Sequence, residues 1–221
     1  MPRNEFLTDM LAADLPSRFI AKLLSELPII YAEAFARAYD DPSWGKREGD
    51  YMLGHTRRSL YEQASRAAAE ASGIRVQQHI PKRGNVSHVR VLAGRFVLVG
   101  SHVATPGGFP VHSDCRKQFA EINQHLEQGD LFTIESKPGE HSLYAFITHT
   151  SVPGAPNQFR SAQVGFPNTS FDGWLQDPID LRDILDAQTQ LENSIDQNTL
   201  QSTVPMPVWK SNIKRAGEGE K

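Results

Sequence analysis

The sequence predicts an α+β fold, in which N-terminal helices are followed by a mainly antiparallel sheet of about six strands interrupted by one helix. Three observations predict this fold. Apolar residues recur with helical spacing over the first seventy positions, and the period changes to two from residue 74. Short segments rich in Gly and Pro separate the later apolar runs, which favours hairpins. A C-terminal helix and a flexible tail are expected to complete the chain.

The first fifty residues form a predicted helical segment, 1–50. Leucines spaced four residues apart precede Pro16 and indicate a first helix. Ser17 is placed to cap a second helix, and Pro28 is placed to begin a third helix over Ile29–Tyr39. The segment is therefore expected to hold three helices ahead of an α+β domain at 51–197.

A longer helix and the sheet are expected in the α+β domain. The helix runs from about Asp50 to Ser72, with Gly73 placed to end it. Ala93 and Gly94 form the predicted turn of a hairpin, and the unbroken apolar run from Phe96 to Val99 indicates a strand covered on both faces. The predicted strands are Ile74–Ile80, Val86–Leu92, Arg95–Val103, Leu131–Ser136, Ser142–Thr150 and Phe159–Phe166.

Two helices are predicted in the second half of the chain. The first spans about Ser113 to Gln128 and interrupts the sheet. The second is capped by Asp177, with Pro178 at its first position. The polar residues at 198–221 are expected to form a flexible tail.

The composition of the 221 residues, with 39% hydrophobic and 22% charged residues, is typical of a globular protein and excludes collagen-like and coiled-coil classes. No apolar run is long enough to cross a bilayer, so no membrane partner is expected. The N-terminus lacks the pattern of a signal peptide. A single cysteine, Cys115, allows no internal disulfide, and we therefore expect a cytoplasmic location.

The charges are distributed unevenly along the chain. Segment 55–120 holds ten Lys and Arg residues and three acidic ones, a net charge of +7, while 1–54 carries −3 and 121–221 carries −7. Five of the eight histidines also lie in 55–120. An excess of arginine favours phosphate binding, and nucleic acid is the partner we expect. The residues expected to contact phosphates are Arg57, Arg58, Lys82, Arg83, Arg90, Arg95, Arg116 and Lys117.

The same charges have a second interpretation that involves no nucleic acid. The +7 and −7 segments are complementary, so they can neutralise each other within one chain or across a homo-oligomer. This interpretation predicts a non-enzymatic interaction protein that self-associates in a salt-sensitive way.

A nucleic-acid hydrolase is the third possibility, in two forms. Glu135 and Lys137 resemble the Glu-x-Lys pair with which metal-dependent nucleases of the restriction-enzyme-like superfamily hold a divalent ion and activate water. The resemblance implies a Mg²⁺ cofactor for this form, and no cofactor is expected otherwise. The strands that would carry the motif in that superfamily hold His88, Arg90 and Arg95 here, without a carboxylate.

The metal-independent form rests on the first predicted hairpin. His88 and Arg90 share one face of their strand because side chains alternate with a period of two. A histidine can move a proton while an arginine stabilises negative charge on a phosphate. Cys115, next to Arg116 and Lys117, has a setting that can activate a thiol, although a small buried cysteine is the commoner role.

Overall fold

The computed structural model describes residues 3–40, 44–80, 87–127 and 143–190. These residues confirm the predicted α+β class, with helices first, a six-stranded sheet and a helix after it. The elements in chain order are α1 (Arg3–Asp14), α2 (Ser17–Tyr39), α3 (Lys46–Ala71), β1 (Arg75–His79), β2 (His88–Ala93), β3 (Phe96–His102), α4 (Asp114–Ala120), a 3-10 turn (Glu121–Asn123), α5 (Gln124–Glu127), β4 (Leu143–Val152), β5 (Ala155–Gly165), β6 (Ile179–Asp180) and α6 (181–190).

The strands lie in the sheet in sequence order, from β1 at one edge to β6 at the other. All neighbouring pairs are antiparallel except β3 and β4, which run parallel with Phe96 opposite Leu143 and His102 opposite His149. A parallel pair cannot be joined by a tight turn, and α4 and α5 lie in the long connection between these strands. The sheet is therefore mainly antiparallel, as predicted.

Both faces of the sheet are covered, as the apolar run in β3 predicts. Phe96 and Leu98 point into the larger core, which they share with α1, α2 and α3. Val97 and Val99 point the other way, into a smaller core with Ala120 of α4. We call these two sides the helical face and the α4 face. The alternation continues along β4, so β3 and β4 both contribute to the two cores.

The prediction that Pro28 begins a new helix is wrong, because α2 runs through it from Ser17 to Tyr39. The buried stripe of α2 continues across the proline with Leu27, Ile30 and Tyr31, all at most 4% exposed. A proline within a helix costs about 3 kcal/mol. Burying Ile30 and Tyr31 offsets this cost, at roughly 1.5–3 kcal/mol for each large apolar side chain.

The start of the C-terminal helix also differs from its prediction. Ile179 and Asp180, expected in the first helical turn, pair with Val164 and Gln163 of β5 as strand β6. The helix begins after them, and the Asp180 carboxylate accepts a hydrogen bond of 2.9 Å from the backbone N–H of Arg182. Asp180 therefore takes the capping position that the sequence suggested for Asp177.

The helix predicted over Ser113–Gln128 is divided by a 3-10 turn. Its start is as expected, since the Ser113 hydroxyl accepts a bond of 3.3 Å from the Arg116 N–H. The turn positions the buried Asn123 amide, which donates to the carbonyls of Tyr144 and Pro167 and accepts from the Tyr144 N–H, each at 2.8 Å. This amide fixes the α4–α5 segment against β4.

The described residues up to Gln188 pack as one compact unit. Position 50, where the sequence suggested a boundary, lies within α3. The predicted strand Leu131–Ser136 and the expected tail at 198–221 lie outside the described residues. None of the helices in the described ranges combines the length and hydropathy that a bilayer crossing requires.

Candidate anion-binding site

A small recess opens on the α4 face of the sheet, between the first strands and α4. Its lining combines basic, thiol and aromatic side chains, and we call it the basic recess. The lining residues are His79, His88, Arg90, Val99, Cys115, Arg116, Phe119 and Tyr144. Among them Tyr144 and Val99 are buried and form the floor, whereas the charged and polar groups are half-buried.

Strand register brings the histidines and Arg90 together. His88 and Arg90 lie two residues apart on β2 and point to the α4 face, as does Leu92. In the antiparallel pair of β1 and β2, His79 is directly opposite His88. The predicted sharing of one face by His88 and Arg90 is therefore seen in the structure, and the register adds His79 to it.

Arg90 carries a guanidinium whose hydrogen-bonding capacity is not used. Its guanidinium carbon lies 3.8 Å from the centre of the Phe119 ring, a cation–π distance. Its Nη2 atom is buried and has no hydrogen-bond acceptor among the described residues. Burial lowers the pKa of Arg90, but an arginine stays protonated at neutral pH. A desolvated donor on a permanent cation is an attractive partner for an anion.

Arg116 approaches the recess from α4. Its Nη1 donates to the Val111 carbonyl at 2.7 Å and its Nη2 to the Ser101 hydroxyl at 3.4 Å. Both acceptors are neutral, so these bonds orient the guanidinium without cancelling its charge. Burial lowers the pKa of Arg116, with a further small lowering from Arg58.

His88 is held neutral beside these cations. Its Nδ1 lies 3.3 Å from Nη2 of Arg58, which also donates to the Ser87 carbonyl. Burial, and then the charges of Arg58 and Arg116, lower the pKa of His88 to about 4. Because an arginine can only donate, His88 Nδ1 accepts, and the proton of the neutral ring is on Nε2.

The electrostatic character of the basic recess follows from these contacts. None of the described lining residues is Asp or Glu. Arg58, which lies behind His88, is paired with Glu62 at 3.0 Å, so its charge is largely balanced. Within the described ranges, Arg90 and Arg116 have only neutral contacts, and His88 adds a neutral N–H donor. Two cationic forks with spare donors and no carboxylate are suited to an oxyanion.

Other residues expected to bind phosphate lie elsewhere. Arg57 is only 4% exposed, and its Nη2 donates to the Pro156 carbonyl at 2.8 Å on the helical face, so its proposed place on a binding surface is wrong. Arg95 is at the turn of the β2–β3 hairpin, paired with Asp14. Lys117 is exposed on α4, one residue beyond Arg116. The residues Lys82, Arg83, Glu135 and Lys137 lie outside the described ranges.

Some members of the basic recess were not expected from the sequence. His79 becomes a member through strand register, which the sequence pattern did not fix. Phe119 and Tyr144 are not among the residues that the sequence predicts for a site, and both border the recess. The sequence places Cys115 next to Arg116 and Lys117, whereas the structure also brings its Sγ to 3.7 Å from Nε2 of His79. One signal in the sequence could have indicated this site: His79 and His88 lie at the adjoining ends of two predicted strands and become neighbours when these strands pair.

A second group of polar side chains is buried on the helical face. The Tyr31 hydroxyl lies 2.9 Å from Nδ1 of His149, and the His149 ring stacks on Tyr61 with centroids 4.7 Å apart. Arg57 lies over the Tyr31 ring at 4.4 Å, and His102 is in edge contact with His149. His149 is only 1% exposed, so this group holds the core together rather than meeting a ligand.

Neither metal binding nor homology adds to the description of the site. The described residues contain no group of three or more His, Cys, Asp or Glu side chains placed to hold a metal ion. Comparisons with protein-family models, curated proteins and solved structures find no match to this chain. The function is therefore argued from the geometry and charge of the basic recess.

Proposed function

We propose that this protein binds nucleic acid through its phosphate groups, one of which binds at the mouth of the basic recess and places an oxygen in its free volume of about 10 Å³. Arg90 and Arg116 contribute charge and fork-shaped donors, and His88 contributes its Nε2–H. We place this function in the cytoplasm, where Cys115 would remain reduced.

A single observation carries the proposal. The Arg90 Nη2 atom is buried without an acceptor among the described residues, in a recess that Arg116 also lines. Leaving a charged donor desolvated and unbonded costs more than the roughly 1–3 kcal/mol of a neutral group. A phosphate oxygen would restore the missing bond, and hydrogen bonds to charged groups contribute about 1.5–3 kcal/mol each.

The distribution of charge favours a polyanion over a small free anion. The recess lies within segment 55–120, which carries a net charge of +7. Lys117 is exposed next to Arg116 and adds a cation to α4, which also carries Asp114 in its first turn. A chain of phosphates can contact the recess and Lys117 together, and each neutralised phosphate releases counterions from the nucleic acid.

The test is a salt series of binding measurements with the whole chain. Labelled single- and double-stranded DNA and RNA are titrated with wild-type protein, the double variant Arg90→Gln and Arg116→Gln, and Arg160→Gln, with fluorescence anisotropy as the readout. Arg160 is exposed on β5, several strands away, and its variant removes one positive charge from outside the basic recess, against two for the double variant. For the double variant we expect the slope of log K against log salt to decrease by about 2 for duplex DNA, one unit for each lost contact.

Two results would contradict the proposal. Equal loss of binding in the Arg160→Gln variant would mean that net charge, and not the recess, determines affinity. Absence of binding at low salt, together with salt-sensitive dimers in sedimentation, would favour self-association through the complementary charged segments.

A further inference from the structure

The basic recess holds a thiol beside an imidazole. Cys115 is half-buried, and its Sγ lies 3.7 Å from Nε2 of His79, a distance at which a thiol can share its proton with a ring nitrogen. His79 packs edge-on against the Phe119 ring, with centroids 5.1 Å apart, which restrains the imidazole. The anion-binding function leaves this pair without a role.

The anion donors and the thiol share one small space. Arg90, Arg116 and His88 line the same recess as Cys115, and its free volume of about 10 Å³ has room for one water-sized group, so an oxygen bound there is close to the sulfur. Burial and the charge of Arg90 lower the pKa of His79. At neutral pH its Nε2 is therefore free to accept the thiol proton. These groups correspond to a nucleophile, a proton acceptor and donors for developing negative charge.

We propose that Cys115 is a nucleophile that removes the phosphoryl group from a phosphate monoester, such as the terminal phosphate of a polynucleotide, with His79 as the acid and base. The inference rests on the proposed phosphate binding and adds a reaction to it. A monoester is the fitting substrate because its phosphate projects from the end of the molecule and can enter a small recess, whereas an internal phosphodiester is flanked by sugars.

The reaction proceeds in two balanced steps. Cys115 Sγ forms a bond to phosphorus while its proton passes to His79, and the P–O bond to the alcohol breaks. The alcohol oxygen leaves with the bonding electron pair on the side of phosphorus opposite the sulfur and takes a proton from solvent water. A second water then attacks the phosphorus of the S-phosphocysteine from that open side and returns a proton to solvent, the S–P bond breaks, and the sulfur recovers its proton from His79. Inorganic phosphate is released, and nothing is oxidised or reduced.

Each group has a defined part in these steps. Arg90 and Arg116 bind the non-bridging oxygens, where negative charge must be stabilised as the phosphoryl group is transferred. The Nε2–H of His88 is a further donor in both steps, since the ring stays neutral at neutral pH. The nuclease roles suggested for His88 and Arg90 are replaced by binding roles in this scheme.

The experiment compares wild type with the variants Cys115→Ser, His79→Gln and Arg160→Gln on p-nitrophenyl phosphate and on a 5′-phosphorylated oligonucleotide. Phosphate release is measured in EDTA, which removes contaminating metal-dependent phosphatases. We expect release by wild type and Arg160→Gln, none by Cys115→Ser, and a loss of about hundredfold for His79→Gln with a changed pH profile. Mass spectrometry after acid quenching should show a phosphoryl group on Cys115.

Binding of the oligonucleotide, measured on the same samples, distinguishes failure of this inference from failure of the proposed function. If wild type binds the oligonucleotide but releases no phosphate, or if Cys115→Ser releases it at the wild-type rate, the nucleophile assignment is wrong and the binding function stands. If the oligonucleotide is not bound at all, both proposals are wrong.

Discussion

Three histidines on the two faces of the sheet have lowered pKa values: His149 is buried, His88 is half-buried and His102 is exposed at the end of β3. Burial holds the pKa of His149 well below its usual range, and His102 and Arg57 lower it further. Burial lowers the pKa of His102 to about 4, as it does for His88 on the opposite face. These three residues link the stability of the fold to pH.

The first prediction is that acid destabilises the protein well above the pH at which carboxylates titrate. In the unfolded chain a histidine has a pKa near 6.5, so between about pH 6.5 and 4 the unfolded state binds more protons than the folded state. The stabilisation is complete above about pH 6.5 and decreases as pH falls towards the folded pKa of the half-buried His88, about 4, and the lower pKa of the buried His149. Urea midpoints measured between about pH 8 and 5 should decrease accordingly.

A matched pair of variants assigns this pH dependence. His149→Gln removes the most deeply buried histidine, and His55→Gln removes an exposed one on α3. The comparison uses the change of midpoint with pH, because the absolute stability of His149→Gln also reflects altered packing. We expect a shallower dependence for His149→Gln and no change for His55→Gln. An unchanged dependence in both variants would exclude His149 as its source.

At the scale of elements, α1 is attached to the β2–β3 hairpin through one carboxylate. Asp14 accepts bonds from the Arg95 backbone N–H at 2.9 Å, from its Nε at 2.7 Å and from its Nη2 at 3.1 Å. Gly94 has a φ of 51°, and a Cβ there would lie 2.5 Å from the Asp14 Cγ. The tight turn and the ion pair therefore depend on each other.

The second prediction concerns this contact. Asp14→Ala should destabilise the protein by about 1–3 kcal/mol, because the half-buried Arg95 guanidinium loses its charged acceptor. Asp9→Ala, at an exposed position of the same helix, is the control and should change stability by less than about 0.5 kcal/mol. Urea denaturation measures both. Equal stability of the two variants would show that the ion pair does not hold α1 to the hairpin.

The third prediction concerns the approach of α3 to β3. A Cβ at Gly100 would lie 1.7 Å from Tyr61 Cε1, so a side chain there must displace the ring that stacks on His149. Gly100→Ala should cost about 1–3 kcal/mol through overpacking. Gly54→Ala, on the exposed side of α3 with open space around it, should instead stabilise by about 0.5–1 kcal/mol. Thermal unfolding of both variants gives the comparison, and a stabilising Gly100→Ala would refute this packing.

Local patterns predicted the elements well where one signal dominated. Gly94 marks the hairpin turn and Gly73, with a φ of 70°, follows the end of α3, both as expected. The helix starts predicted at Pro28 and Pro178 are wrong. A proline restricts only its local backbone, whereas burial in the core decides whether the surrounding residues form a helix or a strand. Ile179 is 8% exposed in β6, and that burial depends on the neighbouring strand β5.

At the scale of the whole molecule, the site was predictable only in part. The two-residue period was sufficient to place His88 and Arg90 together. Arg116 and Cys115 join them through the packing of α4 on the sheet, and His79 joins them through register, neither of which a local pattern specifies. Arg57 was misassigned because helix charge patterns do not show which arginine is buried under a second helix.

The described arginines of segment 55–120 differ in whether a carboxylate balances their charge. Arg58 pairs with Glu62, and Arg95 pairs with Asp14. Neither carboxylate belongs to the acidic segment 121–221. Arg90 and Arg116 are left with neutral contacts in the basic recess. Among the described residues, Arg90 and Arg116 therefore lack the carboxylate partners that Arg58 and Arg95 have, and the buried Nη2 of Arg90 has no acceptor.

Phosphate binding at the basic recess is tested most directly by an NMR titration that follows the arginine side-chain Nε–H signals while a short phosphorylated oligonucleotide is added. If the phosphate binds there, the signals of Arg90 and Arg116 shift first and saturate together, while those of Arg160 and Arg37, both exposed elsewhere, change little. Uniform small shifts across all arginines, with Arg90 and Arg116 no different from the rest, would contradict it.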